Sequence, residues 1–439
     1  MKSSMRRIAV LLVILAMMCS LFGCAESGTT DEPAASNPTP SDTTPPNADN
    51  GSHDDQEPGD TGSADGNGDE FVIGISVSYS GATAQYGLEA INGLDMALEY
   101  INANGGFNGA KGVKATLYDS KGSTEEAVKS AQKLTQNEKC NAVIASQVSS
   151  EVLASGNVYN DAKVFTVGMG TSATWMQQGW EYLIRSSVNY DFVAPNAVEM
   201  MKEMGLTKIA MMHDQSEASV SFKDTVVSIC EEEGIDIIIT ESCEVEDTDM
   251  TSQCTRIINA GPQAVFISMS GNDIGYFVKQ MRQFGYTGTF FDKESYYAAA
   301  VDIAGEENSN YIFFANPYVT YASIDDCDIP NMREFLENYV AAYGELPSTE
   351  IAYRAWDSAM VIWEASKLAG SNDGDAMLAV VPQIQIEGLG GPMDYSNNDG
   401  EPYHNVRRFV YVDGKNVDWA TWMADGGYDA YKEATGNEY

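Results

Sequence analysis

From Phe71 onward the chain alternates short apolar runs with longer amphipathic stretches, and that alternation restricts it to one fold class. Phe71-Val-Ile-Gly-Ile-Ser-Val77 suits a buried parallel strand, and Ala90 to Asn104 sets Ile91, Leu94, Leu98 and Ile101 on one helical face before Gly105-Gly106 stops it. Further strands are predicted at about Val113 to Tyr118, Ala142 to Ala145 and Val164 to Val167, with helices starting from Thr124 and from Ser150. A second series follows Arg185 to Asn189. Its strands are Lys208 to Met212, Ile235 to Ile239, Ala264 to Met269 and Gly288 to Phe291, and its helices start near Asp191, Ala218, Thr248 and Asp273. Repeated βαβ units require parallel strands and right-handed crossovers, so each series predicts an open sheet with helices on both faces. Two such sheets in one α/β chain imply a cleft. Ligands of open α/β sheets sit beyond the carboxyl ends of the strands, which two facing lobes would bring to opposite walls.

The chain from Phe71 is long enough for two lobes rather than one core. A formal charge of -39 argues against nucleic acid, whose phosphates demand lysine and arginine patches. The five cysteines beyond Phe71, at 140, 230, 243, 254 and 327, are odd in number and lack CxxC spacing, so neither a disulfide scaffold nor a zinc site is indicated. Cys243 and Cys254 are placed to pair across a strand-to-helix connection in an oxidising exterior; free thiols are the alternative.

The first residues read as an export signal. Lys2, Arg6 and Arg7 precede an apolar stretch from Ile8 to Met18, and Leu21-Phe22-Gly23-Cys24 follows. This resembles a bacterial lipobox, with Gly23 before the cut and the Cys24 thiol free for diacylglycerol transfer; Phe22 is bulkier than the pattern usually has. The apolar run is shorter than the roughly 20 residues that a spanning helix needs. Ala25 to Glu70 contains no lysine, no arginine and no large apolar side chain, the composition of a disordered acidic spacer. The expectation is a domain tethered by lipid to the outer face of a Gram-positive-like cell membrane.

Gly74-Ile-Ser-Val-Ser-Tyr-Ser-Gly81, Ala84-Gln-Tyr-Gly87 and Ile101-Asn-Ala-Asn-Gly-Gly-Phe-Asn-Gly109 resemble the opening of branched-chain amino-acid (Leu/Ile/Val) type substrate-binding proteins of ABC transporters. The likeness continues through Tyr118-Asp-Ser120, Gly168-Met-Gly-Thr-Ser-Ala173, Tyr182-Leu-Ile-Arg-Ser186, His213-Asp214 and Gly390-Gly-Pro-Met-Asp394. It implies the type I periplasmic binding protein fold: two doubly wound parallel-sheet lobes joined by three hinge crossovers, near Arg185, Pro317 and Gly400. Lobe 1 would take residues 71–185 and 317–400, and lobe 2 residues 186–316 and 401–439. It also implies a monomer without cofactor that closes on a small ligand and passes it to permease and ATPase subunits.

Ser149 and Ser150 match the family's carboxylate-binding serine loop, at a helix start where hydroxyls and unpaired N–H groups favour an anion. Gly170 and Thr171 match the pair that offers a carbonyl and a hydroxyl to the ligand ammonium, and Glu294 matches the acid that pairs with it from lobe 2. Tyr86 keeps the family's aromatic wall. In lobe 2, however, Ala218 stands where a tyrosine is expected, and Ser270-Gly271-Asn272 replaces an aromatic pair. Less aromatic wall and more polar groups weaken the case for leucine, isoleucine or valine. Asn272, Gln215, Ser216 and Ser219 could address a polar ligand, with Tyr296 or Tyr297 as substitute walls.

Catalysis finds little support. Three histidines, at 53, 213 and 404, lack metal-ligand spacing, and neither a Walker loop nor a GxSxG elbow occurs. His213-Asp214 could form a dyad, but the resemblance gives binding proteins the same dipeptide. A sensory module reporting to a membrane receptor is the alternative to transport, and fold alone does not separate the two.

Overall fold

In a computed structural model, which describes residues 70–437 other than 82, 111–112, 270–271 and 294–295, the first apolar run is a buried strand, β1 (Phe71–Val77). The described residues belong to one unit, Asp65–Tyr439; the export signal, Cys24 and the spacer lie outside them. After β1 come α1 (Ala84–Ala103), β2 (Val113–Asp119), α2 (Thr124–Gln132), β3 (Ala142–Ala145), α3 (Ser149–Asp161), β4 (Phe165–Gly168) and β5 (Leu183–Arg185). These five strands form one parallel sheet in the order β2-β1-β3-β4-β5.

The chain then crosses to a second sheet. Here α4 (Tyr190–Glu203), β6 (Lys208–Asp214), α5 (Glu217–Glu233), β7 (Asp236–Cys243), α6 (Thr251–Ala260) and β8 (Ala264–Ser268) precede α7 (Asp273–Gln283), β9 (Thr289–Asp292), α8 (Ala298–Ala304) and β10 (Ile312–Ala315). A second crossover returns it to α9 (Pro330–Tyr343), α10 (Ile351–Ala369), α11 (Gly374–Ala379) and a hairpin of β11 (Gln385–Gly388) and β12 (Gly391–Asp394). The third crossover leads to β13 (Arg408–Val412), β14 (Lys415–Asp418), α12 (Trp419–Ala424) and α13 (Gly427–Thr435). The second sheet is ordered β14-β13-β10-β9-β8-β6-β7, parallel except where β13 pairs antiparallel with β10 and β14.

Three elements differ from the sequence reading for identifiable reasons. Helix α1 starts at Ala84 rather than Ala90, because Gly87, unfavourable by propensity, lies where a Cβ would stand 2.1 Å from the Ser78 carbonyl. Strand β7 runs to Cys243 rather than Ile239, since as an edge strand it can carry Thr240, Glu241 and Ser242. The β13–β14 hairpin was not anticipated although Asp413-Gly414, at φ 51° and 75°, is the residue pair that a two-residue type I′ turn favours. The five cysteines of the lobes are buried free thiols, so Cys243 and Cys254 do not pair.

One buried carboxyl ties the crossovers together. Asp357 on α10 is fully buried and accepts from the Leu389 N–H at 3.0 Å and the Tyr318 hydroxyl at 2.8 Å, with the Tyr403 hydroxyl at 3.5 Å. Tyr318 belongs to the second crossover and Tyr403 to the third, while the Tyr318 hydroxyl also reaches the Ser186 carbonyl of the first at 3.3 Å. Burial pushes the Asp357 carboxyl up to about 7 against the pull of these donors. A carboxyl raised in the folded state contributes stability that is complete below its unfolded value near 4 and lost as pH rises toward 7. Denaturant titrations of the parent and Asp357→Asn from pH 4 to 8 should therefore show the variant gaining relative stability up to about pH 7 and levelling off above it; a pH-independent difference would assign the titration to another group.

Candidate functional site

The strand orders place the site. In the first sheet the winding reverses between β1 and β3, and in the second between β6 and β8, so loops leaving those strands diverge and open a crevice at each switch point. A cavity of about 330 Å³ lies where the two crevices meet. Lobe 1 lines it with Thr83 and Tyr86 after β1, Gln147 to Ser150 after β3 and Thr171 after β4; lobe 2 supplies Ser216 to Ala218 after β6, Val245 after β7 and Tyr297 after β9. Ile351 and Arg354 of α10 complete it.

The lobe 1 wall is organised by Ser149. Its Oγ accepts the backbone N–H groups of Thr171 and Ser172, each at 3.2 Å, fastening the loop after β4 to the start of α3. The contact depends on Gly170, where a Cβ would come within 3.0 Å of Ser149 Oγ and 3.1 Å of its Cα. The Thr171 carbonyl receives the Tyr190 N–H at 3.2 Å, while the hydroxyls of Thr171 and Ser150 are left for the cavity they line. Val148 caps α3 without a side-chain hydrogen bond, so the helix start presents its amides with a partial positive charge.

Charge in the cavity is unevenly matched. Arg354, almost fully buried, is ion-paired with Glu350 one helical turn earlier, and Glu350 also accepts from the Tyr297 hydroxyl of lobe 2 at 2.8 Å. Glu217 opens α5 and accepts from Ser172 Oγ across the cleft at 2.8 Å. Its second oxygen, Oε2, is buried with no hydrogen-bond partner among the described residues, as are Gln147 Nε2 and Thr83 Oγ1. A buried polar atom left unpaired costs about 1–3 kcal/mol, so three of them lining one cavity mark where a polar ligand makes its bonds.

The sequence matches the profile of the periplasmic binding protein family over residues 70–416. The chain belongs to that family. It is 24% identical to a Leu/Ile/Val-binding protein homolog of Brucella melitensis over 79% of this chain and 90% of that protein. It is 26% identical to an amino acid binding protein of Pseudomonas aeruginosa over 51% of this chain and 60% of that protein. Among solved structures, LivJ of Streptococcus pneumoniae in complex with isoleucine aligns with a TM-score of 0.68 at 22% identity, covering 79% of this chain and 99% of LivJ. A solute-binding protein of Rhodopseudomonas palustris in complex with 3,4-dihydroxybenzoic acid reaches 0.69 at 19% identity, covering 80% and 96%. At such identities the likeness shows the fold alone, and the relatives are ligand-binding proteins rather than enzymes.

In this periplasmic binding protein the cavity brings together Tyr86, Ser149, Ser150, Thr171 and Ala218. Asn272 lines an adjoining cavity, and Glu294 lies outside the described residues. Gly170 is in neither lining: its carbonyl already accepts from Arg185 Nη1 and Ser187 Oγ, each at 2.7 Å, so its service to the site is the close approach to Ser149. Of Gln215, Ser216 and Ser219, Gln215 bonds Ser242, Ser219 receives Lys293 Nζ at 2.9 Å, and Ser216 is the one that lines the cavity. Tyr297 forms a wall of the cavity, whereas Tyr296 lines a separate one on lobe 2. The ring of His213 meets the backbone carbonyl of Asp214 at 2.8 Å, and the Asp214 carboxylate accepts from Ser216, so the contact between His213 and Asp214 is not that of an imidazole–carboxylate dyad. Glu217 was passed over because an acid in the first turn of a helix reads as a partner of the helix dipole, and Arg354 because nothing local relates α10 to the cleft.

Ser149→Ala should leave the amides of Thr171 and Ser172 buried without an acceptor. Urea unfolding of the unliganded protein is expected to show a loss of about 1–3 kcal/mol; undiminished stability would show that the loop is fastened by other contacts.

Proposed function

We propose that the protein is an extracytoplasmic, lipid-anchored solute-binding protein that captures a free amino acid between its lobes and delivers it to the permease and ATPase subunits of an ABC importer. The observation that carries this reading is a single cavity with hydroxyls and helix-start amides on one wall and an unsatisfied carboxylate oxygen, Glu217 Oε2, on the other. That arrangement suits a zwitterion. Ser149 and Ser150 at the start of α3 take its carboxylate, and Thr171, Glu294 and Glu217 take its ammonium. Cys24 carries the lipid, and residues 25–70 form the tether. Because ligand groups come from both lobes, binding favours the closed arrangement, and closure makes the surface a permease reads.

A thermal-shift screen tests the ligand class, since a ligand present at a hundred times its Kd stabilises the folded state by about 2.7 kcal/mol. At least one free amino acid should raise the melting temperature, with polar or small ones above leucine. Stabilisation by sugars, nucleosides or aromatic carboxylates while all amino acids fail would overturn the reading. With that ligand, Glu294→Gln should cost about 2–5 kcal/mol of binding by leaving the ammonium without its charged partner, and Thr171→Ala about 0.5–1.5 kcal/mol. Unchanged affinity in Glu294→Gln would leave Glu217 as the ammonium partner.

The anchor is tested separately. Cys24→Ala should move the protein from the membrane fraction to the soluble extracytoplasmic fraction on cell fractionation; retention in the membrane would place the attachment elsewhere.

A further inference from the structure

The cleft has a second arm. A cavity of about 260 Å³ shares Thr83, Tyr86, Val245 and Tyr297 with the first and ends among Glu246, Asn272 and Asp273. It lies beside the positions where Ala218 and Asn272 replace the family's aromatic side chains. Asp273, the first residue of α7, is only 5% exposed yet lines this arm. Its Oδ2 accepts the Glu246 N–H at 2.8 Å, and Oδ1 has no hydrogen-bond partner among the described residues. Glu246 is held beside it with φ at 68°, a conformation rare for a side chain of its kind. No lysine or arginine among the described residues lines the arm. Burial, with repulsion from Asp214, Glu246 and Asp247, raises the Asp273 carboxyl to about 7 against its hydrogen bond from Glu246, the condition of a buried acid that lacks a cation.

We propose that this arm receives a positively charged side chain, so that the ligand is a free α-amino acid carrying a second cation beyond an apolar linker. The proposal rests on the amino-acid reading of the first cavity. Glu217 Oε2, buried without a hydrogen-bond partner among the described residues, and the second oxygen of Asp273 belong to different compartments joined by a waist of Tyr86, Val245 and Tyr297. The waist suits methylenes packed between two rings. A zwitterion with a wholly apolar side chain would fill the head site but lay hydrocarbon against Asp273, desolvating its free oxygen with nothing in return.

The experiment is calorimetric titration of the protein with L-lysine, L-ornithine and L-norleucine, the last being lysine without its terminal ammonium. Lysine or ornithine should bind at least about tenfold more tightly than norleucine, the scale expected of a charge pair that is largely removed from water. Asp273→Asn should collapse that preference, and Glu246→Gln at the rim should narrow it, which keeps the test available if the buried substitution impairs folding. Norleucine or leucine binding as tightly as lysine would overturn the cationic arm and leave the amino-acid reading standing. Failure of every amino acid would overturn that reading, and the cationic arm with it.

Discussion

The guanidinium of Arg185, fully buried at the end of β5, is the group on which both the hinge and the binding loop depend. It donates to the carbonyls of Gly170 at 2.7 Å, Val188 at 3.3 Å and Ser172 at 2.5 Å, lies over the Trp175 ring and stands 3.0 Å from Glu401 of the third crossover. A cation removed from water must have its donors matched, and here the matching acceptors are the backbone of the loop that brings Thr171 to the cavity. Burial drives Arg185 and Glu401 alike toward their neutral forms, and their mutual attraction opposes it. Asn189 adds a hydrogen bond of 2.9 Å to the other oxygen of Glu401, so the first and third crossovers are joined by an ion pair and a hydrogen bond. Motion of one lobe against the other must therefore pass through residues that also set the geometry of the head site.

The proposed head site and the far end of the cleft answer to different constraints. The head site is built largely from backbone: the start of α3, the loop held by Arg185, and a glycine that admits Ser149. Such a site persists so long as the fold does. The far end of the cleft is lined by single residues on loops at the strand ends, such as Ala218 and Asn272, whose exchange would change volume and polarity without touching either sheet.

Much of the architecture was legible in the order of residues. The apolar runs at Phe71, Ala142, Lys208 and Ala264 became strands β1, β3, β6 and β8 because strands buried on both faces need continuous apolar character. The Ser149 region was recognisable because a hydroxyl pair at a helix start after a strand has a local signature. Glu217 was not, since its meaning comes from Ser172 across the cleft, and Asp273 was missed likewise because its partner, the Glu246 N–H, is distant in sequence; Arg354 pairs locally with Glu350, but nothing local relates α10 to the cleft. The Asp413-Gly414 turn, by contrast, carries a local signature, since both residues take positive φ.

By itself the sequence determined two series of βαβ units and hence two open sheets, because periodicity and turn chemistry act over a few residues and need no distant partner, while the candidate head-site residues came from the resemblance of ordered motifs. The tertiary structure alone decided which polar atoms are left unsatisfied. Whether an atom such as Glu217 Oε2 or Gln147 Nε2 has a partner depends on the meeting of segments brought together by three crossovers, and that balance of burial against hydrogen bonding is a property of the assembled cleft rather than of any stretch of chain.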